Sequence, residues 1–158
     1  MGQGIGVTCN MCGYEFDACF GIGMLFPVVY QENVQKMKSG EMGPEAKEFF
    51  EKYPNGVINC EQVVAKCKDC GNYDMVDDLT MYMPKEGVIV PDEVDYIFED
   101  EIKENYVKYM EYPHRCSECG GSSKIYKSFE KKAKKGELKC PKCDGLMGME
   151  PCRIIMWD

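Results

Sequence analysis

The chain has 158 residues, 44% of them hydrophobic, and a formal net charge of −8. That length accommodates one medium domain or two small ones, and the acidity excludes wrapping nucleic acid over the whole surface. No apolar run reaches the roughly 18–20 residues needed to cross a bilayer. The longest patch, from Gly21 to Tyr30, is too short and too rich in glycine, so no membrane partner is expected.

Eleven cysteines are the compositional anomaly. In a short secreted chain such density reads as a disulfide scaffold. Three features argue otherwise. The segment Met1–Gly6 has neither a basic nor an apolar signal region, the total is odd, and eight of the eleven fall in CxxC pairs. The expectation is a reducing, cytoplasmic setting. Charge is uneven: residues 1–112 carry 9 Lys and Arg against 21 Asp and Glu, whereas residues 113–158 carry 10 against 6.

Residues 7–20 predict a strand, a turn at Cys9-Asn10-Met11-Cys12-Gly13, and a second strand whose Tyr14, Phe16 and Ala18 alternate onto one face. Glu32–Lys38 and Pro44–Tyr53 predict helices separated by Gly40 and Gly43, with Pro44 in a first helical turn. Ala46, Phe49, Phe50 and Tyr53 recur at helical spacing and predict an apolar face packed on a neighbouring sheet. Short strands are expected over residues 57–83, around Cys67-Lys68-Asp69-Cys70-Gly71. Pro84–Gly87 marks a turn and a module boundary. Asp92 to Met110 predicts an acidic helix passing into a strand at Tyr106–Tyr112. Residues 128–135 fit either a short helix or a solvated loop, and Leu146 to Trp157 supplies the last strands.

The four CxxC pairs, Cys9/Cys12, Cys67/Cys70, Cys116/Cys119 and Cys140/Cys143, carry the chemistry. Tetrahedral zinc needs four ligands, with thiolate sulfur at about 2.3 Å. Two cysteines flanking a tight turn aim both sulfurs at one ion, and backbone N–H groups of the turn donate to them. The chain then has to reverse, which favours a residue tolerant of positive φ. Gly13, Gly71 and Gly120 supply it directly, and Asp144 tolerates that region better than most residues. On separation alone, Cys119 and Cys140 enclose 20 residues, a hairpin length, so Cys116, Cys119, Cys140 and Cys143 are expected to share one ion. By elimination Cys9, Cys12, Cys67 and Cys70 share the other, across 54 intervening residues that hold the helical insert.

Both halves resemble zinc ribbons in their knuckles and flanking strands. Cys9-Asn10-Met11-Cys12-Gly13-Tyr14-Glu15-Phe16-Asp17 also resembles the first knuckle of rubredoxins, which bind iron in the same four-thiolate geometry. The resemblance implies a metal and a local fold, with no particular partner.

Other groups read more plainly. Cys19, Cys60 and Cys152 are expected as small buried hydrophobes, with Cys19 and Cys60 near enough in sequence to approach the first site. No CxxC opens an amphipathic helix, which disfavours a dithiol redox pair. His114 reads as a packing or surface residue. Asp77-Asp78 and Glu99-Asp100-Glu101 read as solvated faces. Lys124, Lys127, Lys131, Lys132, Lys134 and Lys135 form a basic segment that is either a solvated loop or a contact for nucleic acid or an acidic protein surface, with Tyr126, Phe129 and Trp157 as stacking faces.

The sequence therefore predicts an α+β protein of two small antiparallel zinc-ribbon modules. The first covers 1–90 with a helical insert at about 31–54, an acidic connector covers 91–112, and the second module covers 113–158. The ions are two structural zincs, with iron as the alternative occupant. A non-enzymatic binding or adaptor role is expected, toward protein or, through the C-terminal ribbon, toward nucleic acid; the rubredoxin resemblance implies a redox protein as the alternative.

Overall fold

The structure is a computed structural model; it describes the backbone of residues 2–157 and the side chains of residues 4–150. In chain order the elements are β1 (Gly2–Cys9), β2 (Glu15–Phe20), α1 (Phe26–Ser39), α2 (Pro44–Lys52), β3 (Val57–Ile58), β4 (Gln62–Cys67), β5 (Tyr73–Asp77) and β6 (Met81–Pro84). They continue with α3 (Glu99–Asn105), β7 (Tyr106–Met110), β8 (Ser123–Ile125), α4 (Phe129–Lys135), β9 (Leu138–Lys139) and β10 (Leu146–Trp157). The strands make antiparallel pairs in separate sheets, so the fold is α+β.

Two compact units share the chain. The first comprises Met1–Gly23, Gln62–Val76 and Pro113–Asp158; the second comprises Met24–Glu61 and Asp77–Tyr112. The units interleave along the chain and do not follow the expected consecutive spans 1–90, 91–112 and 113–158. The reason lies in strand pairing. β1 pairs antiparallel with β10, setting Cys9 opposite Met147, and β4 pairs antiparallel with β8, setting Cys67 opposite Ser123. Both pairings bring the C-terminal segment onto earlier strands.

In the first unit the sheets run β2-β1-β10-β9 and β5-β4-β8. Their core holds Ile5, Val7, Ala18, Val64, Tyr73, Phe129, Ala133, Leu138 and Met147. The predicted face of β2 packs there, with Ala18 fully buried and Tyr14 and Phe16 against the cluster. Residues 129–135 are helical: Phe129 and Ala133 point inward, and Gly136 ends α4 in the left-handed conformation. The Phe129 ring lies 5.3 Å from Tyr73 and 5.7 Å from Phe16.

The second unit carries the three-stranded sheet β3-β6-β7 with α1, α2 and α3. Ala46, Phe49 and Phe50 are buried, and the Phe49 ring sits 5.3 Å from Tyr109 on β7, as the helical spacing predicts. α1 begins at Phe26, six residues before the expected start. Pro27 lies in its first turn, where an N–H would have no helical partner, and no polar N-cap marks the beginning. Of the acidic segment expected as a helix from Asp92, only Glu99–Asn105 is helical, as α3, which runs directly into β7; residues 92–98 are not helical.

Candidate metal centres

Each CxxC closes a tight turn of the same construction. The N–H of the first cysteine donates to the carbonyl five residues on: Cys9 to Tyr14 (2.8 Å), Cys67 to Asn72 (2.9 Å), Cys116 to Gly121 (2.9 Å) and Cys140 to Gly145 (2.7 Å). The residue after the second cysteine has positive φ in all four: Gly13 at 74°, Gly71 at 75°, Gly120 at 69° and Asp144 at 59°. The turn then directs backbone N–H groups at sulfur. Met11, Asp69, Gly121 and Lys142 donate to the Sγ of Cys9, Cys67, Cys119 and Cys140, each at 3.4 Å.

The knuckles combine into two quartets, Cys9/Cys12/Cys140/Cys143 and Cys67/Cys70/Cys116/Cys119, with the sulfurs of each within 4.8 Å of one another. This corrects the pairing expected from chain separation. Cys116 and Cys119 do not join Cys140 and Cys143, and among the described residues both quartets fall in the first unit. A quartet forms where a knuckle ending one strand meets a knuckle preceding its antiparallel partner. β1 ends at Cys9 beside the turn that leads into β10, and β4 ends at Cys67 beside the turn that leads into β8. The knuckle order was visible in the sequence, but the β1–β10 pairing needed to read it was not.

The spacing fits a tetrahedral ion. Four sulfurs about 2.3 Å from a common centre stand roughly 3.8 Å apart. The measured separations are 3.5 Å (Cys9–Cys143), 3.6 Å (Cys12–Cys140), 3.5 Å (Cys67–Cys119) and 3.6 Å (Cys70–Cys116). A disulfide requires about 2.05 Å, so these are not bonded pairs. The first cysteine of each knuckle is buried; Cys12, Cys70 and Cys119 are exposed and Cys143 is half-buried.

Electrostatics agrees. The backbone N–H of Cys12, with that of Met11, lowers the Cys9 thiol to about 6, and the N–H of Cys70 does most to lower Cys67 to about 6. Cys70 and Cys143 move to about 12: the N–H groups of Asn72 and Gly145 lower them, but burial and the adjacent sulfurs raise them by more. Four neighbouring sulfurs cannot all ionise without a cation among them. Such a donor set suits a soft or borderline metal.

A second layer of bonds supports the Cys67 quartet. Asp74 on β5 accepts from the Ser117 N–H (3.1 Å) and from the Ser117 hydroxyl, and the Asn72 amide donates to Asp74 (3.0 Å). Lys68 N–H donates to the Ser122 carbonyl (3.0 Å). Asp74 and Ser117 carry no sequence motif that marks them.

The remaining candidates fall elsewhere. Cys19 and Cys60 join neither quartet; Cys60 is buried in the second unit beside Asn33, whose amide bonds the Asp77 carboxylate at 2.9 Å. The side chains of Cys152 and Trp157 lie outside the described residues. His114 is buried, and its carbonyl accepts from Ser123. Lys124, Lys127, Lys131, Lys134 and Lys135 are exposed. Phe129 is buried and offers no stacking face, which corrects that expectation; its apolar ring belongs to the inward side of α4. Asp77 and Asp78 are bonded to Asn33 and Asn59, not simply solvated. No helix among the described residues is long and apolar enough to cross a membrane.

No protein-family model matches the chain, and no curated protein or solved structure shows significant similarity to it.

Proposed function

We propose that this is a non-enzymatic protein-binding module whose first unit is stapled by two structural zinc ions in zinc-ribbon-like sites. The observation that carries it is the pair of sulfur quartets at tetrahedral spacing, built on four turns of one design. Four protein thiolates close the coordination shell and leave no position for water or substrate. An ion held there cross-links the chain ends of strands far apart in sequence, which contributes directly to folding, typically about 10–16 kcal/mol apparent per structural zinc site. Iron in the same shell is the competing occupant.

Elemental analysis and an absorption spectrum of purified protein test the reading. Two zincs per chain and a colourless solution support it. Two irons and a red solution favour a rubredoxin-like electron carrier, and metal-free folded protein removes both.

One observation favours nucleic acid as a second reading. Lys66 and Lys124 stand opposite each other on β4 and β8, where like charges are destabilising without an anion. Lys66 lies 5.2 Å from the Tyr126 ring and Lys132 lies 5.5 Å from it. Titration of labelled single- and double-stranded DNA and RNA at low and high salt tests this. Salt-sensitive micromolar binding that Lys66→Glu abolishes supports it, and no binding removes it.

A further inference from the structure

We propose that the apolar patch at the start of α1 docks a positively charged amphipathic segment of a partner protein. The inference rests on the protein-binding reading above and gives it a surface. Leu25 is 68% exposed, Val28 51%, Tyr96 43% and Phe98 42%. Phe26, which stands between Leu25 and Val28 in the chain, joins the two segments: its buried ring lies 6.2 Å from Tyr96, edge-on, and 5.7 Å from Phe98, stacked. Tyr96 and Phe98 are 5.3 Å apart. Exposed apolar side chains on two segments joined through Phe26 offer a partner an interaction surface. Leu25, Val28 and Glu32 follow at spacings of three and four residues, so one face of α1 passes from apolar to acidic.

Charge chooses the occupant. Residues 24–35 and 92–102 contain seven carboxylates and no Lys or Arg. Glu93 and Glu99 have lysine partners, Lys38 and Lys103; among the described residues Glu32, Asp95, Asp100 and Glu101 form no ion pair. The second unit as a whole holds 7 Lys and Arg against 17 Asp and Glu. Exposed apolar side chains on a unit of this charge, with Glu32 four residues beyond Val28 and Asp95 next to Tyr96 in the chain, fit a helix with apolar anchors on one face and Lys or Arg beside them. The same net charge repels an anionic membrane or a nucleic acid.

The probe is a fluorescent Leu/Lys amphipathic helical peptide of about 18 residues, five turns. A scrambled peptide of the same composition is the control. Anisotropy is followed with full-length protein at about 50 and 300 mM salt. The expected result is micromolar binding, about tenfold weaker for the scrambled peptide and about tenfold weaker again for the Leu25→Ser/Val28→Ser protein, since both replaced side chains are exposed anchors. Equal binding of both peptides, or binding that the double substitution leaves unchanged, overturns the proposal. So does a stable homodimer that the double substitution dissolves, which would assign the patch to a second copy. Native mass spectrometry of the same sample counts metal. Two ions bound without peptide preference sinks the surface alone, whereas no bound ion sinks the functional reading instead.

Discussion

Asp144 is the one knuckle position where a side chain occupies the left-handed region, at φ 59°. The other three knuckles have glycine there, and the sequence alone exposed the parallel through Asp144-Gly145. Asp144→Gly should therefore be neutral or mildly stabilising, and Asp144→Val should lose about 1–2 kcal/mol, because a β-branched residue fits that region poorly. Thermal unfolding of the metal-loaded variants checks both; equal midpoints would contradict the strain argument. Burial raises the Tyr30 hydroxyl and the Cys60 thiol well above their usual ranges. The unfolded chain then releases these protons first as pH rises. Their contribution to stability is intact below about pH 8.5, where unfolded Cys begins to ionise, and falls above it, further beyond about pH 10 for Tyr. Amide exchange in β3 and α1, corrected for intrinsic rate, should show weakening protection over that window. Protection that stays flat would contradict it. Cys60 was readable as a buried hydrophobe, but its neighbours Asn33 and Asp77 were not, since they come from elements distant in sequence.

At the scale of elements, α2 was legible because Pro44 and the periodic apolar residues mark its start and its face. α1 was legible only in its polar second half. Its first turn, Phe26-Pro27-Val28-Val29, combines a proline with β-branched residues and reads as strand or loop until tertiary packing of Phe26 and Tyr30 decides otherwise. Gly56 shows how tightly α2 closes. A Cβ there would sit 2.5 Å from Phe49 Cζ and 3.0 Å from the Tyr53 carbonyl. Gly56→Ala should displace the Phe49 ring and destabilise the second unit by about 1–3 kcal/mol. Hydrogen exchange of α2 and β7 reads this locally, and unchanged protection would show that the ring can move freely.

For the chain as a whole, the fold class and the eight cysteines that cluster could be read from the sequence, whereas their partition could not. Nearest-neighbour pairing weighs loop length, yet closure entropy grows only logarithmically with length, so strand pairing outweighs it. β1–β10 and β4–β8 place the quartets, and periodicity gives strands without giving their partners. Since both quartets lie in the first unit, a strong chelator should remove exchange protection from β1, β4, β8 and β10 while α1, α2, β3 and β6 keep theirs. The partition itself is tested most directly by counting bound metal in paired substitutions. Cys9→Ser/Cys140→Ser removes two ligands from one quartet and should leave one ion per chain, while Cys116→Ser/Cys140→Ser strikes both quartets and should leave none. If the first pair loses both ions and the second only one, the knuckles pair by proximity in sequence, and strand pairing does not set the quartets.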